Sequence, residues 1–148
     1  MNILVLNCGS SSIKFQFINS DKKEVLAKGI VERIGEESSL FSFISEKIEK
    51  RKQKIIVENH TQGIKLISDN LMDSKYGVIQ SKDDIDAVGH RLVHGGEEFS
   101  GSVKINEKVL DTMRECIKLA PLHNPHNIKG VEASQKILPG VPQCGVFD

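Results

Sequence analysis

Ile3-Leu4-Val5-Leu6-Asn7-Cys8-Gly9-Ser10-Ser11-Ser12-Ile13-Lys14-Phe15-Gln16-Phe17 is the stretch that decides the fold of this chain. An apolar run breaks at a tight Gly/Ser turn, and beyond it Ile13, Phe15 and Phe17 alternate with Lys14 and Gln16, a period of two that marks a strand and not a helix. Strands joined by so few residues pair antiparallel. The alternation turns Lys14 away from the core. The turn also gathers groups that suit an anion. Gly9 is expected to take positive φ and let the backbone approach a ligand closely, Ser10, Ser11 and Ser12 offer hydroxyls beside the turn's N–H groups, and Lys14 brings a compact positive charge. Asn7 adds an amide oxygen suited to a hard cation. The P-loop of nucleotide hydrolases ends in Gly-Lys-Ser/Thr and enters a helix; neither feature is present here. Taken by itself the stretch also fits a Gly/Ser hairpin turn with no ligand.

Outward from the turn, Val25 to Ile34 reads as a third strand of the meander. Leu40 to Ile44 and Ile55 to Val57 suggest a further hairpin around the charged run from Glu46 to Lys54, which fits a solvated face better than a site for an acidic partner. Ile64, Leu66, Ile67, Leu71 and Met72 recur at helical spacing within His60 to Met72. Ile85 to Val88 is a short strand ending at Gly89-His90-Arg91, and Ser102 to Ile105 is another, set aside as an excursion. Val109, Leu110, Met113, Ile117 and Leu119 mark a helix closed by Pro121, with Met113 and Cys116 as core packing. Asn124 caps the next helix and Pro125 occupies its first position; it stops near Pro139-Gly140. Gln143 to Phe147 is the last strand. The expected fold class is therefore α/β, a mixed sheet of β-β-β-α-β-α-β order with helices on its faces. Ligands in such sheets collect where strand ends open into loops, which is where Asn7, Arg91 and Asp148 fall.

The 148 residues suffice for about one domain with a real core. Twenty basic and twenty acidic side chains cancel, so no global field draws nucleic acid or an anionic membrane, and any anion site must be local. No segment reaches about 18 apolar residues and no basic leader opens the chain, so a soluble, cytoplasmic protein is expected. Cys8, Cys116 and Cys144 are odd in number and widely spaced, which argues for reduced thiols over a disulfide framework or zinc.

Two more clusters carry chemistry. In Gly89-His90-Arg91-Leu92-Val93-His94-Gly95-Gly96 the planar fork of Arg91 can grip a carboxylate or phosphate through two hydrogen bonds, with a surface salt bridge as the plainer reading. His90 and His94 would share a face only on a helix, and three glycines disfavour one, so structural or anion-orienting histidines are expected before a metal pair. In Ala120-Pro121-Leu122-His123-Asn124-Pro125 two prolines hold His123 at a helix N-terminus, which suits an anion-facing histidine or one bonded to a neighbouring carbonyl. Asp148 follows a strand and can hold a cation or accept a proton.

Asn7-Cys8-Gly9-Ser10-Ser11-Ser12-Ile13-Lys14, Val88 to Gly96, Ala120 to Lys129 and Val146-Phe147-Asp148 together resemble the acetate kinase family, within the superfamily of acetate and sugar kinases, heat-shock ATPases and actin. Only Glu36 to Asn59 matches weakly and reads as a variable insertion. The resemblance implies a ribonuclease H-like, actin-like ATPase core and reversible in-line transfer of the γ-phosphoryl group of ATP to acetate, with Mg2+. It implies that Asn7 helps place the Mg2+, that Ser10, Ser12 and Lys14 surround the nucleotide phosphates, and that Arg91 binds the carboxylate and the moving phosphoryl. It further assigns His123 to stabilising that phosphoryl, Asp148 to an acid/base or metal-orienting role, and Val93 and Leu122 to the pocket for the acetate methyl. Family members continue past the residue matching Asp148 into a second domain with the adenosine site and the main dimer contacts. Residues 1–148 are thus expected to be the N-terminal domain of a two-domain acyl kinase, homodimeric when whole and inactive in this part alone. A propionate or butyrate kinase and a non-catalytic anion-binding domain are the alternatives.

Overall fold

A computed structural model describes residues 1–92, 101–116 and 124–147. Strands β1 (Asn2–Cys8), β2 (Ile13–Asn19) and β3 (Glu24–Glu32) form the expected antiparallel meander, which β4 (Ser39–Ser45) and β5 (Glu49–Ile55) extend outward. Helix α1 (His60–Leu71) leads to β6 (Ala87–Leu92), which lies parallel to β1. Then come β7 (Gly101–Lys104), α2 (Glu107–Cys116), α3 (Asn124–Ile137) and β8 (Gln143–Phe147), the last parallel to β6. The described strands form one mixed sheet in the order β5-β4-β3-β2-β1-β6-β8-β7. The β-β-β-α-β-α-β order survives as its centre, with β4 and β5 added at one edge and β7 at the other.

Burial follows the alternation that the sequence announces. Ile13, Phe15 and Phe17 on β2 are buried while Lys14 and Gln16 are exposed. Leu4, Leu6 and Cys8 continue the same buried face on β1, and Ile64, Ile67 and Leu71 of α1 close over it. Phe15, Phe41 and Phe43 have ring centroids 6.1–6.5 Å apart, and Tyr76 meets Phe43 edge-on at 5.6 Å. Each such pair adds about 0.5–1.5 kcal/mol beyond its buried area. Gly29 sits between Phe15 and Phe43 in the sheet register, and a Cβ there would come within 2.8 Å of the Phe15 ring. The aromatic layer needs that missing side chain. A second cluster, Leu92, Ile105, Val109, Leu110, Ile128 and Val131, joins β6 to α2 and α3.

Three expectations change. The second strand of the hairpin is Glu49–Ile55 and not Ile55 to Val57, so most of the charged run lies in the outermost strand. An edge strand keeps one side in water, and charge there discourages pairing with other chains. β6 does not end at Val88 but runs on through Gly89, His90 and Arg91 to Leu92. The excursion at Ser102 is an edge strand antiparallel to β8. The expected helix residues Ile117 and Leu119 lie outside the described residues, as do the side chains of Met113 and Cys116.

Candidate functional site

The turn after β1 is closed by the Gly9 N–H donating to the Ser12 carbonyl at 2.9 Å, with Ser10 and Ser11 exposed. Gly9 is not among the positive-φ residues, contrary to expectation. Its value is room, because a Cβ would lie 3.0 Å from Ser12 Oγ. The Ile34 N–H donates to Ser11 O at 2.9 Å, fastening the turn to the end of the meander.

Asn7 and Lys14 are cross-strand partners, both exposed. Leu6 pairs with His90 in the parallel register, so Arg91 follows at the level of Asn7 on the neighbouring strand. Along β6, Val88, His90 and Leu92 are buried and Arg91 is exposed, as Asn7 and Lys14 are on their strands. Lys14, Asn7 and Arg91 therefore form a row across three adjacent strands on one face of the sheet, with spacings of about 4.8 Å between strands. An amide oxygen between two cationic side chains is a donor set for an anion that arrives with a hard cation. Among the described residues no group of three His, Cys, Asp or Glu side chains could hold a metal.

His90 proves structural. It is 3% exposed, and its Nε2 lies 2.6 Å from Gln143 Oε1, which accepts the bond and fixes the proton on Nε2. The Ser134 hydroxyl lies 2.8 Å from the same oxygen, and Gln143 Nε2 donates to Val141 O at 3.2 Å. Burial pushes the imidazole down to about 4, the Gln143 bond opposing only in part. The group is a neutral tie between β6, β8 and α3 on the side of the sheet opposite Arg91. Val93, His94, Leu122, His123 and Asp148 lie outside the described residues, and the side chain of Asn124 is likewise not described.

Two residues that sequence reasoning missed hold the turn from behind. His60 Nε2 lies 2.7 Å from the Gly9 carbonyl, and Asn127 Nδ2 donates to the Cys8 carbonyl at 3.2 Å. His60 opens α1, whose N-cap Asn59 accepts from the Gln62 N–H; Asn127 is in the first turn of α3. The His60 ring stacks on that of His126 with centroids 6.4 Å apart and planes 16° from parallel. Burial lowers the His60 pKa, the Gly9 bond opposing and the Lys129 charge assisting. Gly130 packs on Cys8, whose Sγ would be 2.5 Å from an added Cβ, and burial pushes the Cys8 thiol up to about 12. An Asn-capped histidine is the only local signal for His60. A cleft of about 430 Å3 opens beside the turn, with Ser10 and His60 on its wall facing Lys129 and Glu132.

With this geometry in hand, comparison with known proteins is informative. The family model described as the acetokinase family matches residues 2–148. The acetate kinase of Carboxydothermus hydrogenoformans is 51% identical over all 148 residues, which correspond to 37% of that protein. The crystal structure of Porphyromonas gingivalis acetate kinase superposes with a TM-score of 0.94 at 50% identity, covering 99% of this chain and 37% of that one. A propionate kinase from Francisella tularensis gives a TM-score of 0.88 at 40% identity, covering 99% of this chain and 36% of that one. The chain thus spans little more than a third of the length of these relatives. No helix among the described residues is long and apolar enough to cross a membrane. A family match across residues 2–148, with whole-chain identity of about half and a close superposition, means that this chain belongs to the acetokinase family.

Proposed function

We propose that this chain is the N-terminal domain of a two-domain, cytoplasmic, homodimeric acyl kinase that moves the γ-phosphoryl group of ATP reversibly to acetate. The observation that carries the reading is the row of Lys14, Asn7 and Arg91 beside the Gly9–Ser12 turn. In phosphoryl transfer, charge spreads over the equatorial oxygens, and the protein contributes mainly position and fixed positive groups. Lys14 and the Ser10 and Ser12 hydroxyls meet the nucleotide phosphates. Arg91 holds the acetate carboxylate in line with the phosphoryl group, and His123 adds a donor to the same oxygens. Asn7 fits Mg2+, which prefers oxygen donors and arrives largely on phosphate; bound there, the ion would neutralise charge on the phosphoryl oxygens. A carboxylate is already ionised near neutral pH, so Asp148 serves better in orienting the metal than in removing a proton. Val93 and Leu122 would bound the methyl group of acetate.

The adenosine site and further cationic groups belong, on this reading, to a second domain. Hydroxylamine trapping of acyl phosphate from acetate and MgATP tests the division of labour. The pure 148-residue chain should give no hydroxamate. In the whole kinase Arg91→Ala should cut the rate on the order of 10^2-fold to 10^3-fold. Hydroxamate from the 148 residues that disappears with Arg91→Ala would show that these groups suffice, and would overturn the two-domain reading. The likeness to a propionate kinase favours one second reading, the longer acid as substrate. One methylene is worth only about 1–3 kcal/mol in such a pocket, so rates with acetate and propionate in parallel decide between them.

A further inference from the structure

Two helices supply side chains that reach the turn without belonging to the reactive row. The Cys8 and Gly9 carbonyls are consecutive, and each is held by a side chain from a different helix: Asn127 of α3 at 3.2 Å and His60 of α1 at 2.7 Å. No peptide bond among the described residues is cis. In a trans peptide the C=O of one residue and the N–H of the next point in opposite directions. Drawing the Gly9 carbonyl toward His60 therefore turns the Ser10 N–H away from α1, toward the mouth of the turn. The Cys8–Gly9 peptide obeys the same rule: its carbonyl goes to Asn127, and its N–H closes the turn on Ser12 at 2.9 Å.

We infer that His60 is a positioning residue for the phosphate turn, its Nε2–H holding the Gly9 carbonyl so that the Ser10 amide is presented to a phosphate oxygen, with Asn127 fixing the preceding peptide. The inference rests on the reading of this turn as a phosphate site. His60 is 8% exposed and its Nε2–H already has an acceptor, so it is not a proton-transfer group. Its neutral form suffices for the bond, and burial favours that form. The stack on His126 places the ring against the first turn of α3. Because α3 starts at Asn124, the helix that grips the phosphate turn is the one that follows His123 directly.

The test uses the 15N-labelled 148-residue chain and tripolyphosphate, which offers the phosphates of ATP without the adenosine. His60→Phe keeps an aromatic ring for the stack but removes the donor; His60→Gln restores an N–H at a similar reach. Thermal melting confirms that each variant is folded. In the wild type the Gly9 and Ser10 amide resonances should move on titration. His60→Phe should weaken binding about tenfold, as the loss of a hydrogen bond to a pre-aimed peptide predicts, and His60→Gln should recover to within about twofold of wild type. Equal affinity in wild type and His60→Phe overturns the inference alone. A wild type whose turn amides ignore tripolyphosphate overturns the phosphate reading itself, and the inference falls with it.

Discussion

On its antiparallel side the sheet is backed by rings: Phe15, Phe41 and Phe43 pack within 6.5 Å of one another and Tyr76 closes the edge. On its parallel side the described residues of the second cluster, Leu92, Ile105, Val109, Leu110, Ile128 and Val131, are aliphatic. There the polar His90–Gln143–Ser134 tie does part of the holding. The proposed ligand groups lie where these two sides meet, at the ends of β1 and β6. A broad aromatic core is insensitive to pH and tolerant of its surroundings. A buried imidazole is not, and the tie it makes depends on the pH around it.

The largest expected effect breaks the aromatic side. Phe15→Ala removes a ring that is 1% exposed and contacts two others, and should cost about 3–5 kcal/mol. In a chain of this size that lowers the melting temperature by roughly 10 °C. Urea denaturation followed by far-UV circular dichroism measures it. A loss under about 2 kcal/mol would mean that the rings are not the main support of the meander.

The parallel side should fail with acid. The folded His90 imidazole titrates near 4 and the unfolded one near 6.5, so above 6.5 both are neutral and nothing changes. Below 6.5 the unfolded chain takes up a proton that the folded chain refuses, and stability falls by about 3 kcal/mol by pH 4. His60, lowered in the same direction, adds loss of the same sign. His90→Gln should start less stable at pH 7.5 but lose less on going to pH 4.5. Urea midpoints at both pH values check this. If the wild type and the variant lose equally, the imidazole is not the acid-sensitive group.

Leu110→Ala tests the small cluster directly. Leu110 is 2% exposed, and its loss should cost about 2 kcal/mol, less than the loss of a larger ring that packs on two others. A cost equal to that of Phe15→Ala would erase the contrast between the two sides.

The same contrast explains what could be read from the sequence. β1 and β2 are legible because an apolar run and an alternation mark them, and Gln143 to Phe147 is the expected last strand. The meander follows from short connections, and Lys14 points outward as the alternation requires. The full length of β6 is not legible, because His90 finds its partners in Gln143, 53 residues away, and Ser134, 44 residues away. The role of His60 is not legible because Gly9 lies 51 residues before it. The charged β5 hid for another reason: an edge strand is set by the backbone of its neighbour and needs little apolar sequence of its own. Local pattern reveals elements, whereas the polar side chains that hold a site in place depend on partners that only folding supplies.

The smallest effect sharpens the comparison most, because it acts where the two sides join. Helix α1 packs its apolar stripe on the aromatic core, yet its first residue, His60, reaches the turn after β1. Asn59 sets that entry: its Oδ1 accepts the Gln62 N–H at 2.9 Å from an extended backbone. Asn59→Ala should cost about 1 kcal/mol, and Asn59→Asp should retain most of it, because a carboxylate caps as well as an amide. If α1 is only a buttress, Asn59→Ala will speed hydrogen exchange at Gln62 and leave the Gly9 amide alone. Since His60 is the helix's hand on the turn, exchange at Gly9, whose N–H closes on Ser12, should speed up as well. A Gly9 amide unmoved by loss of the cap would mean that the turn holds itself, and that the aromatic side supports the site only at a distance.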